Sequence, residues 1–169
     1  TVAIGSGLDL ATSAAEVQPN SDVVVSPDGS MLAYTGATPS GTSIYLRRLA
    51  VDLDFHKVGG SDGAQITPGF SPDNQWLVFR RTMSGEMTKV SVNGGGAVVL
   101  ARIQGPFGNF PHWGPNDQIF YSGGPGGLLR ISAAGTGTPE PVRGSRGTTR
   151  YAFVLPDGVT TLGPPLDRN

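Results

Sequence analysis

His56 and His112 are the only imidazoles in this chain, so any acid–base chemistry at neutral pH is sought first around them. A hydrolytic triad needs one of them beside an activated serine, and neither has a motif around it. No nucleophile elbow of the G-x-S-x-G type is expected. With no cysteine, thiol catalysis, thiolate metal sites and disulfides are excluded. Asp52, Asp54 and Asp62 are the densest carboxylates, but their spacing fits no calcium loop and reads as a solvated loop. Gly123-Gly124-Pro125-Gly126-Gly127 is glycine-rich, yet it lacks the Lys-Ser/Thr and following helix of a phosphate loop, so it reads as a hairpin connection. Arg143, Arg146 and Arg150 form the basic cluster, with Tyr151 the lone aromatic nearby, which is too little for a nucleic-acid patch. The expectation is a chain without enzymatic activity of its own and without a cofactor.

The elements that must position these residues are marked by a repeat. Val25-Ser26-Pro27-Asp28-Gly29 returns as Phe70-Ser71-Pro72-Asp73-Asn74, then as Trp113-Gly114-Pro115-Asn116-Asp117, and in eroded form as Val154-Leu155-Pro156-Asp157-Gly158. The four prolines are 45, 43 and 41 residues apart. Proline presets φ at the first central turn position, Asp or Asn bonds the local backbone, and Gly or Asn accepts a left-handed conformation. Each turn is followed by an almost unbroken apolar run, such as Trp76-Leu77-Val78-Phe79. A sheet with one wet face would alternate, so these strands are expected to be covered on both faces. Short strands in a period of about 40–45 residues indicate an all-β propeller of four-stranded antiparallel blades.

On this reading residues 1–20 are a leader or a strand that closes the last blade. Residues 21–169 form the propeller segment, with blades at about 21–60, 61–101 and 102–143 and a partial one at 144–162. Gly36–Thr42, with Pro39 and Gly41, is read as a loop. Residues Arg47-Arg48 and Arg80-Arg81 put one side chain on each strand face, one of each pair reaching a blade edge. Trp76 and Trp113 are read as packing between blades. About three and a half blades do not close a ring. Either the native chain continues or copies of it complete the ring, two making roughly seven blades; the first is the reading adopted. An open arc also leaves an apolar blade face at each end.

Net charge is −1, with 12 basic and 13 acidic residues, which gives no electrostatic case for nucleic acid or an anionic membrane. No stretch approaches the ~18 apolar residues of a membrane-spanning helix. The chain starts at Thr1, as a processed or excised piece would.

The Ser-Pro-Asp-Gly turns resemble those of TolB-like, WD-type propellers. Ile44-Tyr45-Leu46-Arg47-Arg48-Leu49, Gly69-Phe70-Ser71-Pro72-Asp73-Asn74-Gln75-Trp76, Lys89-Val90-Ser91-Val92-Asn93-Gly94-Gly95 and Leu129-Arg130-Ile131-Ser132-Ala133-Ala134-Gly135 are similar to successive blades of propellers fused behind bacterial serine/threonine kinases. The resemblance covers about residues 21–158, with Asn74, Asn116 and Asp117 as departures. It implies a periplasmic or extracellular sensor or interaction module that binds a protein or small-molecule ligand. Two other roles remain open: an accessory propeller to a peptidase-type hydrolase, and a structural module that self-assembles through open blade faces. Contacts are expected on the ring face and central opening, at Phe107, Asn109, His112 and Arg150.

Overall fold

The computed structural model describes residues 23–81, 83–103, 111–122, 127–135 and 137–142, together with the backbone of 9–10, 153–154 and 161–162. Every regular element among them is a strand. The first sheet contains β1 (Asp9–Leu10), β2 (Val24–Val25), β3 (Met31–Thr38), β4 (Gly41–Arg48) and β5 (His56–Lys57). The second runs in order β6 (Ala64–Phe70), β7 (Trp76–Arg81), β8 (Glu86–Ser91) and β9 (Val98–Arg102). The third runs β10 (His112–Trp113), β11 (Gln118–Ser122), β12 (Leu128–Ser132) and β13 (Glu140–Pro141). β14 (Phe153–Val154) and β15 (Thr161–Leu162) pair as the start of a fourth. Neighbouring strands are antiparallel throughout.

The unbroken apolar runs are explained by stacking of these sheets. Leu77, Val78 and Phe79 have no solvent exposure. Leu77 and Phe79 enter a core with Met31, Ala33, Ile44 and Leu46 of the first sheet. Val78 enters a second core with Trp113, Ile119, Tyr121 and Ile131 of the third. One strand thus feeds two cores, as a blade between two others must. Trp76 packs against the second core. Lys89 joins this interface: its Nζ lies 4.6 Å from the Trp76 ring centre and donates to the Ala133 carbonyl at 2.7 Å.

The first two turns are one device built twice. Ser26 and Ser71 each accept a hydrogen bond from a strand N–H, of Met31 and Trp76 respectively, both at 2.9 Å. Each hydroxyl donates to its turn aspartate, Asp28 at 2.6 Å and Asp73 at 2.5 Å. Those donations are the main reason both carboxyls are held below the ordinary Asp range. Gly29 and Asn74 take the left-handed position, with φ of 75° and 61°. The third turn differs. Gly114 replaces the serine, and the loop is one residue tighter, closing from the Gly114 N–H to the Gln118 carbonyl at 2.8 Å. Asn116 and Asp117 are both left-handed, at 56° and 51°, the signature of a type I′ hairpin.

Three expectations are corrected. The loop read at Gly36–Thr42 shrinks to Pro39–Ser40, because β3 and β4 pair as far as Thr38 and Gly41. Gly36 permits this: a Cβ there would lie 2.8 Å from the Tyr45 ring, so only glycine keeps the strand flat over the tyrosine. Second, Asp9–Leu10 pair with Ala37 and Gly36 of β3, which places them in the first sheet. They extend along β3 the edge that β2 starts at Leu32 and Ala33, as the single strand β6 does along β7. Third, the outer face of the first blade is less open than an arc implies. Leu32, Tyr34 and Tyr45 are buried, and Phe55 meets Tyr34 edge-on at 4.8 Å.

Candidate functional site

The first strands of the three blades, β2, β6 and β10, lie beside one another, β6 touching both of the others, and in a propeller arc such strands face the central opening. The ladder is least regular there. Gln65 faces Arg80 and Gly69 faces Val78, so Ile66, Thr67 and Pro68 together oppose Phe79, a bulge of three residues against one. Pro68 cannot donate to a ladder, which is why the strand breaks at this point. Ile66 has φ of 57°, a rare conformation for a β-branched residue. It is held from the neighbouring blade, where the buried Thr35 hydroxyl donates to the Ile66 carbonyl. Thr67 is buried, and its hydroxyl has no hydrogen-bond partner. Beneath the bulge, burial pushes the Arg80 pKa down. Arg81 points the other way, donating to the carbonyls of Asp62 and Gly60, both at 3.0 Å.

His112 belongs to the same inner ring, one blade further on. It pairs with Phe120 and is half-buried on the face turned away from the second blade, whereas Trp113 beside it turns toward that blade. Gly69 and Pro111 hold the two inner strands together: a Cβ on Gly69 would lie 2.5 Å from the Pro111 carbonyl oxygen. Of the expected contact residues, His112 lies in β10. Phe107, Asn109 and Arg150 lie outside the described residues, as do Arg143, Arg146 and Asp157. Ile66, Thr67 and Thr35 were missed, although Pro68 inside a strand pattern is a recognised bulge signal.

The candidate chemistry around the two histidines is sparse. His56 is on the outermost strand of the first sheet and His112 on the innermost of the third, so they do not form a pair. The letters G-x-S-x-G do occur once, as Gly59-Gly60-Ser61-Asp62-Gly63. Ser61 has no exposure, donates to the Val58 carbonyl at 2.6 Å and accepts the Ile44 N–H at 2.9 Å. It leads into a strand, β6, where an elbow requires a helix, so it is a buried turn serine. Asp52 accepts the Arg48 N–H at 2.8 Å, and Asp62 pairs with Lys57 at 2.7 Å. Among the described residues no three His, Asp or Glu side chains are grouped to hold a metal ion. Among them, too, no helix is long and apolar enough to cross a membrane.

Stacked four-stranded antiparallel sheets, with their first strands side by side, define a β-propeller arc. Comparison with known proteins makes the class more specific. TolB from Acinetobacter baumannii superposes with a TM-score of 0.72 at 19% identity, over 89% of this chain and 39% of that one. The chain has a TolB-like propeller fold. The GH74 enzyme of Niastella koreensis matches with a TM-score of 0.60 at 14% identity, over 80% of this chain and 20% of that one. Identities this low define the fold alone. An uncharacterised protein of Agrobacterium fabrum is 30% identical over 105 residues, which are 57% of this chain and 33% of that protein. The chain thus spans about a third of that relative and about two-fifths of TolB. No family model matches the sequence.

Proposed function

We propose that this chain is part of a non-catalytic propeller module that binds a protein or small ligand at its central opening, in the extracytoplasmic part of a larger bacterial protein. The observation that carries this reading is the inner-strand bulge. Ile66 is held in a costly backbone conformation by a neighbouring blade, and the Thr67 hydroxyl beside it is left unbonded. Strain and unsatisfied polar atoms are retained where something else uses them. His112 adds an imidazole to the same ring of inner strands. Membership of a larger protein is supported by the share of its relatives that the chain spans.

A photo-crosslinking residue placed at His112 tests the binding role, with one at Val51, which is 75% exposed on the first blade, as control. A discrete adduct from the His112 position and none from the Val51 position is the expected result in bacterial envelope extracts. Equal labelling from both positions, or none, refutes the site. Turnover of peptide, lactone or glucan substrates by the purified chain refutes the non-catalytic reading.

A further inference from the structure

The shared register of the three blades lets the outer face of the first be compared with the two seams inside the arc. Val25, Phe70 and Trp113 are equivalent, because they pair with Leu32, Leu77 and Ile119 at the same place in each sheet. Leu49, Val92 and Ala133 are equivalent too: each follows the third long strand and donates its N–H to the turn before the second, at Ser30, Gln75 and Asp117. In the second and third blades all these residues are buried in a seam with the preceding blade. In the first blade Val25 is 58% exposed and Leu49 43%. The loop from Leu49 to Phe55 then presents Val51 and Leu53, the latter 88% exposed, and returns to the same face where Phe55 meets Tyr34. Apolar residues gathered in this way mark a contact surface.

Two residues set this face apart from a blade seam. Arg47, opposite Leu32, takes the place of the buried Val90 and Ile131, which lie opposite Leu77 and Ile119. Val51 takes the place of Gly94 and Gly135, two residues past Val92 and Ala133. Those glycines lie against the preceding blade: a Cβ on Gly94 would stand 3.1 Å from the Gly59 nitrogen, and one on Gly135 3.4 Å from Leu100 Cδ2. The branched side chain of Val51 leaves no room for that approach. The face is self-complementary instead. At one end of the loop Arg47 spends Nε on the Asp52 carbonyl at 3.1 Å, and its terminal nitrogens make no bond among the described residues. At the other end Asp54 is exposed and has no partner among them. Leu49, Val51 and Leu53 lie between these opposite charges. A two-fold axis would bring the Arg47 end of one loop to the Asp54 end of the other, twice, around an apolar centre.

We propose that this face is a two-fold contact between copies of the chain, with Val25, Leu49, Val51 and Leu53 at its centre and Arg47 against the partner's Asp54. So few side chains make an interface of the small, transient class, for which a dissociation constant of about 100 µM is expected. The contact is therefore empty in dilute extract, where Val51 remains a valid cross-linking control. It is independent of the inner-strand reading, and either can fail alone.

Sedimentation equilibrium of the purified chain between about 10 µM and about 1 mM tests it. A reversible monomer–dimer equilibrium is expected. Leu53→Asp, a change at an exposed loop tip, should weaken the dimer at least about tenfold, with an unchanged melting temperature showing that the blade is intact. Arg47→Asp and Asp54→Arg should each weaken it as well, and the two together on one chain should restore it, because the facing charges are again opposite. Three results would overturn the proposal: a monomer at about 1 mM, oligomers that keep growing with concentration as head-to-tail blade stacking would, or a dimer that Leu53→Asp leaves intact. A dimer that Leu53→Asp breaks but the charge-swapped chain does not recover would overturn the pairing of Arg47 with the partner's Asp54.

Discussion

Replacing Ser71 by alanine isolates the hydrogen bonds that close the second turn. Ser71 is 1% exposed, and its hydroxyl both accepts the Trp76 N–H at 2.9 Å and donates to Asp73 at 2.5 Å. Alanine fits the space but leaves the Trp76 N–H at the start of β7 without a partner. An orphaned backbone donor costs about 1–3 kcal/mol. The lost bond to Asp73 adds little, because that carboxylate is exposed and well solvated. The expected destabilisation at pH 7 is about 2 kcal/mol, which for a chain of this size lowers the melting temperature by about 4–8 °C. Circular dichroism melts of the two proteins, with urea titrations beside them, measure it. The pH dependence is a second readout. Asp73 is held below the ordinary Asp range chiefly by the Ser71 hydroxyl, then by the Gln75 N–H. A depressed carboxyl stabilises the fold above its unfolded pKa, and this contribution is lost as pH falls through the folded value. The gap between wild type and Ser71→Ala should therefore narrow on acidification. A melting-temperature change below about 1 °C at neutral pH, or a gap that widens in acid, refutes the reasoning.

Other positions give independent checks. Gly60→Ala should cost about 3 kcal/mol or more, because φ is +84° and a Cβ would lie 2.2 Å from the Gly95 carbonyl oxygen. Gly96→Ala, where nothing lies within 4 Å, should stay within about 0.5 kcal/mol in the same urea titration. Lys89→Met keeps the aliphatic stem but loses the cation over Trp76 and the bond to Ala133, and should cost about 1–2 kcal/mol by the same assay. Tyr121 is buried, which raises its pKa to about 12. Its contribution is complete below the unfolded value near ~10 and fades as pH rises toward the folded one. Spectrophotometric titration should show one phenol fewer in the Tyr121→Phe variant only at strongly alkaline pH; a loss from the phenols that ionise near the ordinary value counts against its burial.

The sequence made the blades legible because a turn and a two-faced apolar strand are local patterns. Ser26-Pro27-Asp28 and Ser71-Pro72-Asp73 build superimposable networks from side chains two to five residues apart, so their letters suffice. Pro115-Asn116-Asp117 carries nearly the same letters and builds a different turn, since Gly114 removes the hydroxyl that would hold the longer loop. Gly36–Thr42 read as a loop because Pro39 and Gly41 are loop residues. What keeps Gly36 in a strand is the Tyr45 ring across the ladder, a neighbour nine positions away.

The candidate sites lie one level further from the sequence. Thr35 and Ile66 meet only because two blades stack, and 31 residues separate them. Arg48 and Asn93 are 45 residues apart, the spacing of the first two turn prolines, so they sit at near-equivalent places in successive blades and touch across the seam. The letters within one period reveal neither contact. In a propeller the informative comparison is therefore between adjacent repeats. The inner bulge emerges from that comparison, whereas neither histidine could be assigned a role from its own flanking residues.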